Sequence, residues 1–65
     1  MTIDALRIEI LLAEKGLTKK ALSKNCGIAL QNLSTIMKRG TCAPPTVGKI
    51  AHGLGVPVVD ILKEV

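Results

Sequence analysis

The sequence predicts an all-α fold of five short helices. Three observations carry that expectation. Apolar residues recur at steps of three and four along most of the chain. Glycines and prolines punctuate those stretches where helices would stop and start. The 65 residues are 48% apolar yet include no Phe, Tyr or Trp, so the core must be built from Leu, Ile, Val, Ala and Met. Small helices that cross closely can be filled by such side chains alone.

The first helix runs to about Lys15, with Thr2 or Asp4 as its N-cap. Ile3, Leu6, Ile10 and Ala13 form its apolar stripe, and Ile8, Leu11 and Leu12 widen it. Burial on more than one side is therefore expected. Gly16 is placed to end it. Thr18 is the next N-cap, opening a two-turn helix from Lys19 to Asn25 that Gly27 ends. Ala29 opens the third helix, with Leu33, Ile36 and Met37 inward. Lys38-Arg39-Gly40 supplies positive charge and a stop at its C-terminal end. Thr41 to Pro45 reads as a loop, with Pro45 suited to the first turn of the next helix. That fourth helix carries Val47, Ile50, Ala51 and Leu54 inward, and Gly53 and Gly55 end it. Pro57 starts a fifth, continuing through Asp60-Ile61-Leu62-Lys63-Glu64 with Val58, Ile61 and Leu62 inward; a short strand at Val58-Val59 is the less favoured alternative.

Composition narrows the function. A chain this short supports one small core, so a two-domain enzyme with a cofactor cleft does not fit. Without aromatic side chains, bases of single-stranded nucleic acid have nothing to stack on. The net charge of +4 is a modest hint of a polyanionic partner, and it also serves solubility. The two cysteines, Cys26 and Cys42, form no C-x-x-C pair, and His52 is the only histidine. No metal site is expected from so few ligands, and both thiols read as reduced, in a cytoplasmic protein. The apolar runs are far too short to span a bilayer, and no signal peptide is expected at the start. The carboxylates Asp4, Glu9, Glu14, Asp60 and Glu64 lie toward the ends rather than in a cluster. No Ser-His-Asp set or nucleotide loop accompanies them, so no catalysis and no cofactor are expected.

The informative stretch is Thr18 to Ile36. Two short helices meet there at a tight turn, with the small Ser23 four residues before Gly27 and apolar residues at Leu22, Cys26, Ile28, Leu33 and Ile36. Two helices crossing steeply over a short turn need a small side chain at the contact and a turn residue tolerant of positive φ. This stretch resembles the helix-turn-helix of the Cro and phage-repressor (Xre-like) family of DNA-binding regulators. The other carriers of the resemblance are Arg7, Gly16-Leu17-Thr18, Arg39-Gly40 and Ala51-His52-Gly53-Leu54-Gly55-Val56, in that order along nearly the whole chain. The resemblance implies a compact lambda-repressor-like domain over residues 1–65, with the helix-turn-helix at about 18–38.

It further implies that the third helix reads the major groove of double-stranded DNA. Base-reading candidates are Ala29, Leu30, Gln31, Ser34 and Thr35. Gln31 is foremost, since its amide can bond both N6 and N7 of adenine. Leu30 is apolar on a face meant for polar groups and suits a thymine methyl. Phosphate candidates are Thr18 and Lys19 at the start of the second helix, Asn32, and Lys38, Arg39 and Thr41 on the other side. Lys20 and Lys24 read as solvated surface charges, and so does His52. Cys42 reads as an exposed loop residue.

Two departures from the family pattern belong together. Members often carry an Arg and a Glu that pair inside the fold, at positions that are Leu12 and Met37 here. Losing one of such a pair strands a charge at a cost of about 3–5 kcal/mol, whereas replacing both with packed apolar groups can be neutral or better. Leu12 is therefore expected to touch Met37. One extra residue before Gly40 leaves the roles of Lys38 and Arg39 interchangeable.

A single helix-turn-helix reads few base pairs, so a homodimer on a palindromic operator is expected, with half-sites about 34–36 Å apart. Val56, Val58, Val59, Leu62 and Val65 supply its interface, being more apolar surface than one small core needs. The leading reading is a sequence-specific transcriptional regulator, a repressor of bacterial or phage type, associated with the nucleoid, with no membrane attachment and no evident small-molecule ligand. The alternative is a protein-interaction module, such as an antirepressor or antitoxin, that keeps the fold without specific DNA binding. Leu30 and the lack of an Arg in the middle of the third helix keep it open.

Overall fold

A computed structural model describes residues 1–63. Its helices are α1 (Ala5–Lys15), α2 (Lys19–Cys26), α3 (Leu30–Arg39) and α4 (Pro44–Leu54), followed by a single 3₁₀ turn at Val58–Asp60. Four α-helices are present among the described residues, not the five expected.

Local chemistry explains most boundaries. Asp4, rather than Thr2, caps α1, its carboxylate accepting from the Arg7 amide at 3.0 Å. The Thr18 hydroxyl accepts from the Ala21 amide at 3.1 Å and opens α2. Gly27, at φ 72°, takes the left-handed conformation that lets the chain leave α2 and re-enter as α3 within three residues. Pro44 and Pro45 fill the first turn of α4, where their missing amides cost nothing.

The core is one aliphatic cluster. Ile8, Leu11 and Leu12 of α1 meet Leu22 and Cys26 of α2, Leu33, Ile36 and Met37 of α3, and Val47, Ile50, Ala51 and Leu54 of α4. Ile3 and Ile61 close it from the two chain ends. Leu12 and Met37 are both buried members of this cluster.

Three expectations change. The stripe Ile3, Leu6, Ile10 and Ala13 is not the buried face of α1. Ile3 precedes the helix, Leu6 is 67% exposed, Ile10 is 41% exposed, and Ala13 faces solvent. Apolar residues occupy two opposite faces of α1, and the face through Ile8, Leu11 and Leu12 is the one the other helices cover. Gly53 does not end α4 but lies inside it. A Cβ there would fall 2.9 Å from the Cβ of Cys26 and 3.1 Å from its backbone nitrogen, so glycine permits the close approach of α4 to α2.

The fifth helix is absent because its backbone is used otherwise. The Asp4 amide donates to the Ile61 carbonyl at 2.8 Å, and the Lys63 amide donates to the Thr2 carbonyl at 3.1 Å. Leu62 thus bridges Ile3 in extended, antiparallel fashion. On its other side the N-terminal segment bridges Thr41, with the Ile3 amide donating to the Gly40 carbonyl at 2.9 Å. Residues 1–4 are stitched between the α3–α4 loop and the C-terminal turn. Helical continuation would leave these groups unpaired and remove Ile61 from the core. Among the described residues, no helix is long and apolar enough to cross a membrane.

Candidate nucleic-acid interface

α3 divides cleanly by its period. Leu33, Ile36 and Met37 are buried, while Leu30, Gln31, Asn32, Ser34, Thr35, Lys38 and Arg39 are exposed. Every α3 residue expected to read bases or phosphates is therefore on the solvent side. Ala29, just ahead of the helix, is exposed as well.

The start of α3 is electrostatically open. Its N-cap is Ala29, which has no side-chain acceptor, and its first turn carries no acidic residue. The amides of the first turn therefore keep their partial positive charge for an incoming acceptor. Gln31 and Asn32 stand in that same turn. One turn on, the Thr35 hydroxyl donates to the Gln31 carbonyl at 3.0 Å. Its proton is spent on the helix, so Thr35 presents a methyl group and an acceptor oxygen outward.

Basic residues flank this face on two sides. Lys19, Ser34 and Lys38 border an open groove that also touches Ala5 and Glu9 of α1. On the opposite flank, Arg39 and Lys49 line a wider open cleft of about 460 Å³ together with Asn32, Thr35 and Thr46. Lys38 and Arg39, adjacent in sequence, thus serve opposite flanks. This revises the expectation that both lie across from Lys19, and it follows from the roughly 100° between successive helical residues. Lys19 is not free: its amine lies 3.5 Å from the Glu9 carboxylate, both groups being about half exposed. No Asp or Glu occurs between Glu14 and Asp60, so Glu9 is the acidic residue that reaches this surface.

A polar helix face with an open N-terminus and basic flanks is what a duplex requires. A family model described as "Cro/C1-type HTH DNA-binding domain" matches residues 7–65. The chain belongs to that family. No curated protein and no solved structure matches it.

As in the expectation for a Cro/C1-type domain, α2 and α3 are two short helices joined by a tight turn at Gly27. The remaining candidates fall into place around it. Thr18 is exposed, but its hydroxyl already caps α2. Thr41 is exposed in the α3–α4 loop, its backbone bridged to Thr2. Val56, Val58 and Leu62 are half-buried and pack against the chain's own core, whereas Val59 is 72% exposed. Val65 lies outside the described residues.

Lys49 and Thr46 were missed in the sequence. Their positions on α4 carry no motif, and only the packing of α4 against α2, on which α3 also rests, brings them beside Arg39. Cys42 is half-buried rather than exposed, and burial pushes its thiol pKa up despite the nearby N-terminal amine and Arg39. A raised pKa leaves less thiolate, which argues against a redox role. Cys26 is buried, its thiol directed at the Ser23 carbonyl at 3.7 Å. His52 is exposed on α4.

Proposed function

We propose that this chain is a sequence-specific transcriptional regulator, a repressor, that lays α3 in the major groove of double-stranded DNA. The observation that carries the reading is the outer face of α3: short polar side chains, an uncapped N-terminal turn, and cations on both flanks. Gln31 reads adenine, while Leu30 and the Thr35 methyl pack on thymine methyls. Ala29 and Ser34 sit close to base edges. Lys19 and Lys38 hold one phosphate strand, and Arg39, Lys49, Asn32 and Thr46 hold the other, with Thr18 and Thr41 at the margins. The role is binding, not catalysis, and residues 1–63 act as one unit of this kind.

Two copies bind a palindromic operator about a two-fold axis. Of the C-terminal residues expected at their interface, Val59 offers the most surface and Val56, Val58 and Leu62 contribute their outer edges.

Selection from random duplex DNA, followed by a salt titration, tests the reading. A palindrome should be enriched, and affinity should fall steeply with salt. Gln31→Ala should relax one position by about 1–3 kcal/mol, whereas Lys19→Ala should weaken all sequences alike. The second reading, a protein-interaction module, draws on Leu30, which is 42% exposed at the start of α3, on the edge of its polar face. Failure to enrich any sequence, with only weak salt-sensitive binding, would favour it.

A further inference from the structure

α1 has two apolar faces. One, through Ile8, Leu11 and Leu12, is consumed by the core. The other points away from it, with Leu6 67% and Ile10 41% exposed and Ala13 exposed beside them. Spaced by four and then three residues, they form one row along two helical turns. A single exposed Leu is ordinary. A row opposite the buried face is a seam of the kind helices use to pack on one another.

The charges beside this row say what packs there. Arg7 and Glu14 are seven residues apart and so lie on the same edge of the row, toward its two ends. Both are exposed, and among the described residues neither belongs to an ion pair, although Asp4 and Asp60 share a groove with Arg7. The other edge carries Glu9, which Lys19 neutralises. Consider two α1 helices running antiparallel about a two-fold axis at Ile10. Ile10 meets Ile10, Leu6 faces Ala13, and Arg7 faces Glu14 at both ends. A parallel pair would instead turn this edge toward the partner's Glu9 edge, leaving Glu14 without an opposite charge. Only the antiparallel pair gives both Arg7 and Glu14 an opposite charge, in a self-complementary, isologous contact.

We propose that α1 is a self-association face, through which this chain pairs antiparallel with a second copy of itself. The row itself contains no residue of α3 and none of the C-terminal turn, and its edges adjoin both, Glu9 beside Lys19 and Lys38 and Arg7 beside Val59. A row of three residues sits at the low end of interface sizes, so the pair is weak, with a dissociation constant on the order of 100 µM.

Sedimentation equilibrium in an uncharged Val59→Ser background, up to about millimolar chain, tests this apart from an apolar contact at the C-terminal turn. The expected result is a monomer–dimer equilibrium that Leu6→Glu with Ile10→Glu weakens at least about tenfold, with far-UV circular dichroism unchanged because both positions are exposed. Arg7→Glu alone and Glu14→Arg alone should each weaken pairing by about fivefold. An equimolar mixture of those two variants should pair within about twofold of the unsubstituted row, because opposite charges then face each other at both ends. A monomer throughout, a dimer indifferent to Leu6 and Ile10, or no recovery on mixing would each overturn the proposal.

Discussion

α2 and α3 are the two halves of one motif, yet they begin differently. α2 opens on Thr18, whose hydroxyl closes a first-turn amide. α3 opens on Ala29, which closes none. α2 is also the more embedded of the two, with Ser23 and Cys26 buried and α4 pressed so closely that Gly53 can bear no side chain. α3 buries one stripe and offers the rest to solvent. The difference separates two duties. α2 is seated on both sides, whereas α3 leaves the amides of its first turn without a side-chain cap.

The largest test of that contrast is Gly53→Ala. The added methyl meets the Cys26 backbone, which cannot rotate away, so α2 or α4 must shift. A loss of about 1–3 kcal/mol is expected in denaturant unfolding, with a fall in midpoint of roughly 4–8 °C per kcal/mol. A neutral result would mean that α2 is less tightly seated than its geometry says. Thr18→Ala should cost about 1 kcal/mol by the same measurement, through loss of the cap alone.

The mirror experiment is Ala29→Asp. It supplies α3 with the cap it lacks, so stability should rise by roughly 0.5–1 kcal/mol. DNA affinity should fall, because the new carboxylate occupies the open amides and repels phosphate. If stability and affinity rise together, the uncapped turn has no part in binding. The smallest expected effect is that of Glu9→Gln, which frees Lys19 from an exposed ion pair. Affinity for duplex DNA should increase by about two- to fivefold in low salt, while unfolding changes by less than about 1 kcal/mol. An unchanged affinity would mean that Lys19 does not meet phosphate.

Sequence reading succeeded where the determining chemistry is local. Thr18 and Gly27 bound α2 because a cap and a left-handed turn are properties of those residues and their immediate neighbours. The outer face of α3 was legible for the same reason, since one strong stripe defines its opposite. α1 defeated periodicity because it has two stripes, and the choice between Leu6-Ile10 and Ile8-Leu11-Leu12 rests with helices distant in sequence. The missing fifth helix had a similar cause. Ile61, Leu62 and Lys63 have ordinary helical neighbours, but Thr2, Ile3 and Asp4 compete for their backbone groups from the far end of the chain. Gly53 looked like a terminator because its actual constraint, Cys26, is distant in sequence. The division of Lys38 from Arg39 needed only the helical angle, and was masked by treating adjacent charges as one group.

The stitching of residues 1–4 has a temporal consequence. During synthesis Thr2 and Asp4 wait for their partners, because Ile61 and Lys63 must emerge before they can bond to them. Until then Ile3 has no lid to form with Ile61, and the aliphatic core stays open at one end. The four α-helices can assemble early from nearby contacts, but the core closes only when residues 2–4 meet residues 61–63.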